Sequence, residues 1–247
     1  MGLHVIIPAR WGSSRFQGKP LFEIAGQPMI QHVISRAAAA PEVDSVVVAT
    51  DDERIAEAVT AVGGRAMMTS AQARSGSDRV AEAAGLLGLA DDDMVANVQG
   101  DQPLLPPELI SLCAAPLAQD PALGMTTPVT PFKSRRELAD PTNVKTVMDR
   151  RGNALYFSRA TIPFARDGQE VTCYKHLGVY LFRKSFLDLF ASLPEGRLEA
   201  TEKLEQLRVL EAGHTIRCVI TDLDSPEVDR PEHAEQVSRH LAAGPKT

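Results

Sequence analysis

Leu3-His4-Val5-Ile6-Ile7-Pro8 is a short apolar run bounded by turn-forming residues. Such a run suits a strand buried on both faces of a parallel sheet. Its sequel, Ala9 to Lys19, is polar and contains glycine, so it reads as a loop. Met29, Ile30, Val33, Ile34 and Ala37 then recur at helical spacing, which predicts a helix over 28–40 stopped by Pro41. Working outward, strands are predicted at 45–50, 65–69 and 94–98, with helices at 52–62 and 78–89 between them. Strands alternating with helices of this length mean an α/β, Rossmann-like, doubly wound and mostly parallel sheet.

The second half differs. Stretches 125–129, 144–149, 154–158 and 175–182 read as strands with few helices between them, a small antiparallel excursion beside the main sheet. A helix is expected at about 200–212, a strand at 215–220 and a last helix at 231–241. No linker separates two units, so residues 1–247 are expected to form one domain, its β-rich excursion at about 125–183. Only 243–247 look disordered.

Composition bounds the function. The chain has 247 residues, 44% hydrophobic and 23% charged, enough for a sizeable core. A net charge of −6 argues against a general nucleic-acid surface. Cys113, Cys173 and Cys218 are odd in number and widely spaced, as expected of reduced, buried thiols rather than a zinc or disulfide framework. The N-terminus reads as a strand rather than a leader, and no stretch has the length of a membrane span. The expectation is a cytoplasmic protein with no membrane partner.

In open α/β sheets, ligands bind beyond the carboxyl ends of the strands. Three polar clusters fall there: 10–19, Thr50-Asp51-Asp52, and Gln99-Gly100-Asp101. The first carries Arg10, Arg15 and Lys19 among glycines and serines, a composition that can cradle an anion or simply be a solvated basic loop. It is neither a Walker A loop nor a dinucleotide fingerprint, which disfavours a Rossmann dehydrogenase. Asp101 stands where a Mg²⁺ carboxylate would be needed, although an Asp before Pro103 also forms ordinary turns. Asp229 lies just before the last helix, where capping is the plainer reading. His176, Gly178 and Tyr180 would share one face of a single strand, and the glycine would leave room for a ligand. On the 200–212 helix, Leu204, Leu207 and Leu210 would face the core, while Glu202, Glu205, Gln206 and Val209 face away.

These stretches resemble a known family. Ile6 to Leu21, Ala49-Thr50-Asp51, Ser75-Gly76-Ser77-Asp78-Arg79, Asn97-Val98-Gln99-Gly100-Asp101, Tyr156-Phe157-Ser158-Arg159, Lys175 to Tyr180 and Leu204-Glu205-Gln206-Leu207-Arg208 look like the 3-deoxy-manno-octulosonate (Kdo) cytidylyltransferases, in matching order. The resemblance implies that CTP and an acidic 2-keto sugar are joined by attack of the sugar C2 hydroxyl on the α-phosphorus, with release of pyrophosphate. It implies Arg10 and Lys19 on the phosphates, with Ala49, Asp51, Ser77 and Asp101 also around the nucleotide. Asp101 and Asp229 would hold Mg²⁺. Arg15, Gln99, Arg159, His176, Tyr180, Glu205 and Gln206 would surround the sugar. It further implies a homodimer built through the β-rich excursion, and a place in lipopolysaccharide precursor synthesis. Gln17, Gln102 and Arg230 depart from the family's usual Pro, Glu and Thr, which bears on the identity of the acid more than on the reaction. The rivals are transfer to another acceptor (8-amino-Kdo, a sialic acid, a phosphonate or a polyol phosphate) and non-catalytic nucleotide sensing.

Overall fold

A computed structural model describes residues 1–12, 16–168 and 172–242. Arg15 and the expected tail at 243–247 lie outside the described residues. The chain runs β1 (Leu3–Ala9), a small β2–β3 ribbon (Glu23–Ile24, Gln27–Pro28), α1 (Met29–Ala38), β4 (Ser45–Thr50), α2 (Glu53–Ala61), β5 (Arg65–Met68), α3 (Gly76–Leu86) and β6 (Met94–Asn97). Next come α4 (Glu108–Gln119), β7 (Met125–Pro131), α5 (Arg135–Ala139), β8 (Lys145–Met148), β9 (Ala154–Ser158), β10 (Tyr174–His176) and β11 (Tyr180–Arg183). The last elements are α6 (Lys184–Ser192), α7 (Arg197–Glu202), α8 (Leu207–Glu211), β12 (Arg217–Ile220) and α9 (Pro231–Ala242).

One sheet runs through both halves in the order β5-β4-β1-β6-β11-β7-β10-β8-β9, with β12 on the other edge of β7. The first four strands are parallel, β11 runs antiparallel to β6 and β7, and β7–β10–β8–β9 is the antiparallel excursion. The α/β, mostly parallel reading is therefore correct. Strand β1 sits between β4 and β6 and alternates faces: Leu3, Val5, Ile7 and Ala9 pack under α1, α2 and α4, while Ile6 packs under α3 and α6.

The structure differs from the local expectations in four places. The strand at 175–182 is two strands, because Gly178 takes a left-handed turn (φ 68). Both pieces lie along the same edge of β7, but β10 pairs onward with β8 and β11 with β6. The kink thus joins the parallel sheet to the excursion. The helix at 200–212 is also two pieces: Lys203 adopts φ 55 between α7 and α8. Val209, expected outside, is fully buried, as are Gln206 and Arg208. Helices α4, α5 and α6 had no counterpart in the sequence reading. Proline at 103, 106, 107 and 116 hides α4, which carries Pro116 near its end and still buries Leu109, Ile110, Cys113 and Leu117. Helix α3 starts two residues earlier than expected, because the Ser75 side chain accepts from the Asp78 N–H and caps it.

All three cysteines are buried. Burial raises the thiol of Cys218 to about 12, out of range for thiolate chemistry at neutral pH.

Candidate active site

The parallel registers put the ends of β1, β4 and β6 side by side, with Ala9 opposite Thr50 and Ile6 opposite Asn97. The first loop is closed on itself. Gly18 takes φ 69 and its N–H donates to the Trp11 carbonyl at 3.1 Å. The Trp11 ring packs against Gly18 and carries the Arg54 guanidinium of α2 at 3.5 Å from its centroid. A short 3-10 turn then starts at Lys19 and aims its side chain inward.

Lys19 Nζ donates to Asp101 Oδ2 at 2.6 Å and to Asp229 Oδ1 at 3.3 Å. Burial alone would lower its pKa, but the two carboxylates outweigh burial and raise it. The Val228 N–H donates to the Asp101 carbonyl at 2.9 Å, which seats the 225–229 segment against the Asp101 turn. Asp229 therefore faces Lys19, and the plain capping reading is incomplete. A third carboxylate, Glu227, joins them. Desolvation by the surrounding protein, and then the charges of Asp101 and Asp229, push it up to about 8.

The Mg²⁺ implied by the sequence can be tested against this arrangement. Three acids share one lysine, and Asp101 Oδ1 is buried without a hydrogen-bond partner. Among the described residues no three His, Cys, Asp or Glu side chains form a ready-made cage. Mg²⁺ needs none, since it takes one or two carboxylates and completes its shell with phosphate and water oxygens. The donors present fit that cation.

A polar relay leads away from this corner. Gln99 Nε2 donates to Asn97 Oδ1 at 3.0 Å, Asn97 Nδ2 to Ser77 Oγ at 2.9 Å, and Ser77 Oγ to Glu205 Oε1 at 2.6 Å. Ser77 thus stands with Glu205, its hydroxyl already engaged. Next to it, Tyr180 OH donates to Gln206 Oε1 at 3.0 Å, while Gln206 Nε2 is buried with no partner. The His176 ring lies 5.3 Å from that of Tyr180. Thr127 Oγ1 donates to the Val179 carbonyl at 2.7 Å, so it accepts from His176 Nε2 at 2.8 Å, and His176 is the neutral Nε2–H tautomer. Burial lowers its pKa to about 3.

Other expected residues are placed differently. Ala49 is fully buried in β4 and offers no surface to a nucleotide. Asp51 is paired to the buried Arg79 at 2.8 Å, and Asp52 caps α2. The second cluster therefore builds the fold around the cleft. Arg10 is exposed beside the first loop. Arg159 donates through Nε to the Glu202 carbonyl at 2.9 Å and through Nη1 to the Pro141 carbonyl at 3.2 Å; Nη2 bonds to no described residue. The Glu202 carboxylate serves Ser158 and the Arg159 backbone.

Gln102 is fully buried and donates to the Leu177 carbonyl at 2.6 Å. The departure from Glu puts an uncharged donor under the Gly178 turn, whereas a carboxylate there would need a proton to make the same bond. A Cβ at Gly178 would stand 2.9 Å from Glu227 Oε1. Gly178→Ala is expected to cost about 1–3 kcal/mol, from the positive φ and this clash together. Chemical denaturation measures it, and an unchanged midpoint would refute the strain argument.

A cytidylyltransferase family model matches residues 4–216. The chain belongs to the cytidylyltransferase family. This cytidylyltransferase is a nucleotidyltransferase by membership, as its sequence resemblance implied. It is 58% identical to 3-deoxy-manno-octulosonate cytidylyltransferase of Desulfatibacillum aliphaticivorans, over 98% of this chain and 99% of the relative. It is 53% identical to 8-amino-3,8-dideoxy-manno-octulosonate cytidylyltransferase of Shewanella frigidimarina, over 98% and 99%. A solved CMP:2-keto-3-deoxy-manno-octonic acid synthetase complexed with CTP matches with a TM-score of 0.92 at 41% identity, covering 98% of this chain and 99% of that one. No described helix is long and apolar enough to cross a membrane.

Asn97, Glu227 and Lys145 were not singled out in the sequence. Asn97 and Lys145 had a signal, a polar residue inside an apolar strand. Glu227 had only its spacing of two from Asp229.

Proposed function

We propose that the chain transfers CMP from CTP to the C2 hydroxyl of Kdo and releases pyrophosphate. The observation that carries the reading is Lys19 held between Asp101 and Asp229 at the mouth of the β1–β6 cleft, one relay away from Glu205. In the reaction the hydroxyl oxygen bonds to the α-phosphorus, the bond from that phosphorus to the β-phosphate oxygen breaks, and the hydroxyl proton is lost. Lys19 and Arg10 hold the triphosphate and balance charge that grows on the leaving pyrophosphate. Asp101 and Asp229 would hold Mg²⁺, which when bound lowers the barrier by neutralising phosphate charge. Glu205 and Gln206 accept or donate to sugar hydroxyls, and neutral His176 and Tyr180 wall the acceptor pocket. Arg159 offers Nη2, which bonds to no described residue, to the acceptor carboxylate.

The same reading carries a homodimer through the excursion, supported by exposed Leu155 on the edge strand β9 and by exposed Phe164. It also carries a cytoplasmic place in lipopolysaccharide precursor synthesis. The relatives named for 8-amino-Kdo favour one second acceptor.

The test is pyrophosphate release from CTP and Mg²⁺ with Kdo, with 8-amino-Kdo, and with no acceptor. Kdo-dependent release at the higher kcat/KM supports the proposal. Preference for 8-amino-Kdo keeps the chemistry and moves the substrate. No release with either acid overturns the transfer reaction.

A further inference from the structure

Lys145 has no exposed surface and, among the described residues, no carboxylate within ion-pair distance. Its three ammonium hydrogens instead go to three backbone carbonyls: Asp140 at 2.6 Å, Asn143 at 2.8 Å and Arg159 at 2.9 Å. That is full use of a lysine's donors. Burial holds its pKa below the ordinary lysine value, and Asp140 offsets burial only in part. A buried cation spent on three neutral acceptors is a costly way to stabilise a fold.

What the three carbonyls share is Arg159. One belongs to Arg159 itself. The other two bound the Asp140–Asn143 turn, and between them lies Pro141, whose carbonyl takes Arg159 Nη1 at 3.2 Å. A third tether, Glu202, accepts from Arg159 through its backbone carbonyl and its carboxylate. Lys145 thus grips Arg159 at the root of the side chain and, through the turn, near its tip. Among the described residues Nη2 has no hydrogen-bond partner, while Nε and Nη1 are held.

We infer that Lys145 is a positioning residue for the acceptor. It orients the Arg159 guanidinium so that its free edge meets the carboxylate of the 2-keto sugar acid. The inference rests on the proposed reading of Arg159 as an acceptor-binding residue. A charge-assisted hydrogen bond from one fixed guanidinium nitrogen depends on where that nitrogen is held, so loss of Lys145 acts on acceptor binding rather than on CTP.

The test is steady-state kinetics with CTP and Kdo on the Mg²⁺-loaded full chain. Lys145→Met keeps the stem and removes the three donors. It should raise the KM for Kdo by about tenfold or more, since a misplacement near 1 Å can cost a hundredfold, and leave the KM for CTP within about twofold. Arg159→Ala should raise the KM for Kdo similarly, and adding Lys145→Met to it should change nothing more. Equal loss on CTP and Kdo, or an additive double variant, overturns the inference and leaves Lys145 structural. If Arg159→Ala raises the KM for Kdo and Lys145→Met does not, the inference fails while the reading of Arg159 stands. If Arg159→Ala itself leaves it unchanged, that reading fails and takes the inference with it. Should Lys145→Met not fold, Asp140→Ala carries the test. It removes a surface carboxylate that braces the same turn through Thr142. An unchanged KM for Kdo in a folded Asp140→Ala would overturn the inference.

Discussion

Alanine at position 101 should lower the kcat of CTP-dependent pyrophosphate release by about a thousandfold while leaving the fold in place. Both Asp101 oxygens point to this. Oδ2 anchors Lys19 at 2.6 Å, and Oδ1 is buried with nothing to accept from. A carboxylate kept half unsatisfied in this way suits an incoming cation better than it suits the resting fold. The substitution also frees Lys19 from its nearer partner, so triphosphate placement suffers too. The backbone bond from the Val228 N–H to the Asp101 carbonyl survives, because the backbone is unchanged. Melting temperature should therefore move little, and Asp101→Asn should lose nearly as much activity as Asp101→Ala. Turnover near the wild-type rate in a folded variant would remove Asp101 from the chemistry.

Arg208→Met should be the most destabilising single change away from the cleft. Arg208 is buried beneath α3 and α7, where it donates to Glu199 at 2.7 and 2.8 Å and to Asp78 at 2.9 Å, and lies 4.5 Å from the centroid of the Phe190 ring. Methionine fills much of the space but removes the buried cation from Glu199 and leaves Asp78 with the exposed Arg74 at 3.1 Å. Breaking such a cluster costs about 3–5 kcal/mol. For a chain of this size that lowers the melting temperature by about 10 °C or more.

The pH dependence gives the same result a second signature. Burial would raise the Asp78 pKa, but Arg208 outweighs burial and lowers it below the unfolded value. Its contribution to stability is therefore full above the unfolded carboxylate pKa and is lost as pH falls through the folded one. In Arg208→Met the same acid is buried without its main partner and gains by protonation. The stability gap between the two proteins should narrow on acidification. A gap that is constant from neutral pH down to about pH 4 would show that charge burial is not its cause.

Much of this was legible before any coordinates. The alternation of apolar runs with amphipathic helices gave β1, β4, β5 and β6, because burial on both faces leaves no other home for Val46-Val47-Val48 or Met94-Val95-Ala96. Lys19, Asp101 and Asp229 were legible as charges at strand ends. Other features were hidden because they depend on partners remote in sequence. Nothing local tells that Asp51 is committed to Arg79, or that Ser77 answers to Glu205 rather than to a base. The break at Gly178 needed knowledge of β8, and the break at Lys203 needed the Arg208 cluster that buries α8. Prolines hid α4 because their cost to a helix is local, whereas the burial of Leu109 and Leu117 that offsets it is tertiary.

The Lys19 contacts span 82 residues to Asp101 and 210 residues to Asp229. Closing so long a loop carries an entropic cost that only the assembled sheet can offset, so this meeting belongs to the last events of folding. A ribosome-bound chain that has emerged only as far as β11 owns the first loop and the Asp101 turn but not Asp229. Competence is thus withheld until nearly the whole polypeptide has been made. A protease nick just before Val228 would silence the molecule while leaving most of its sheet standing.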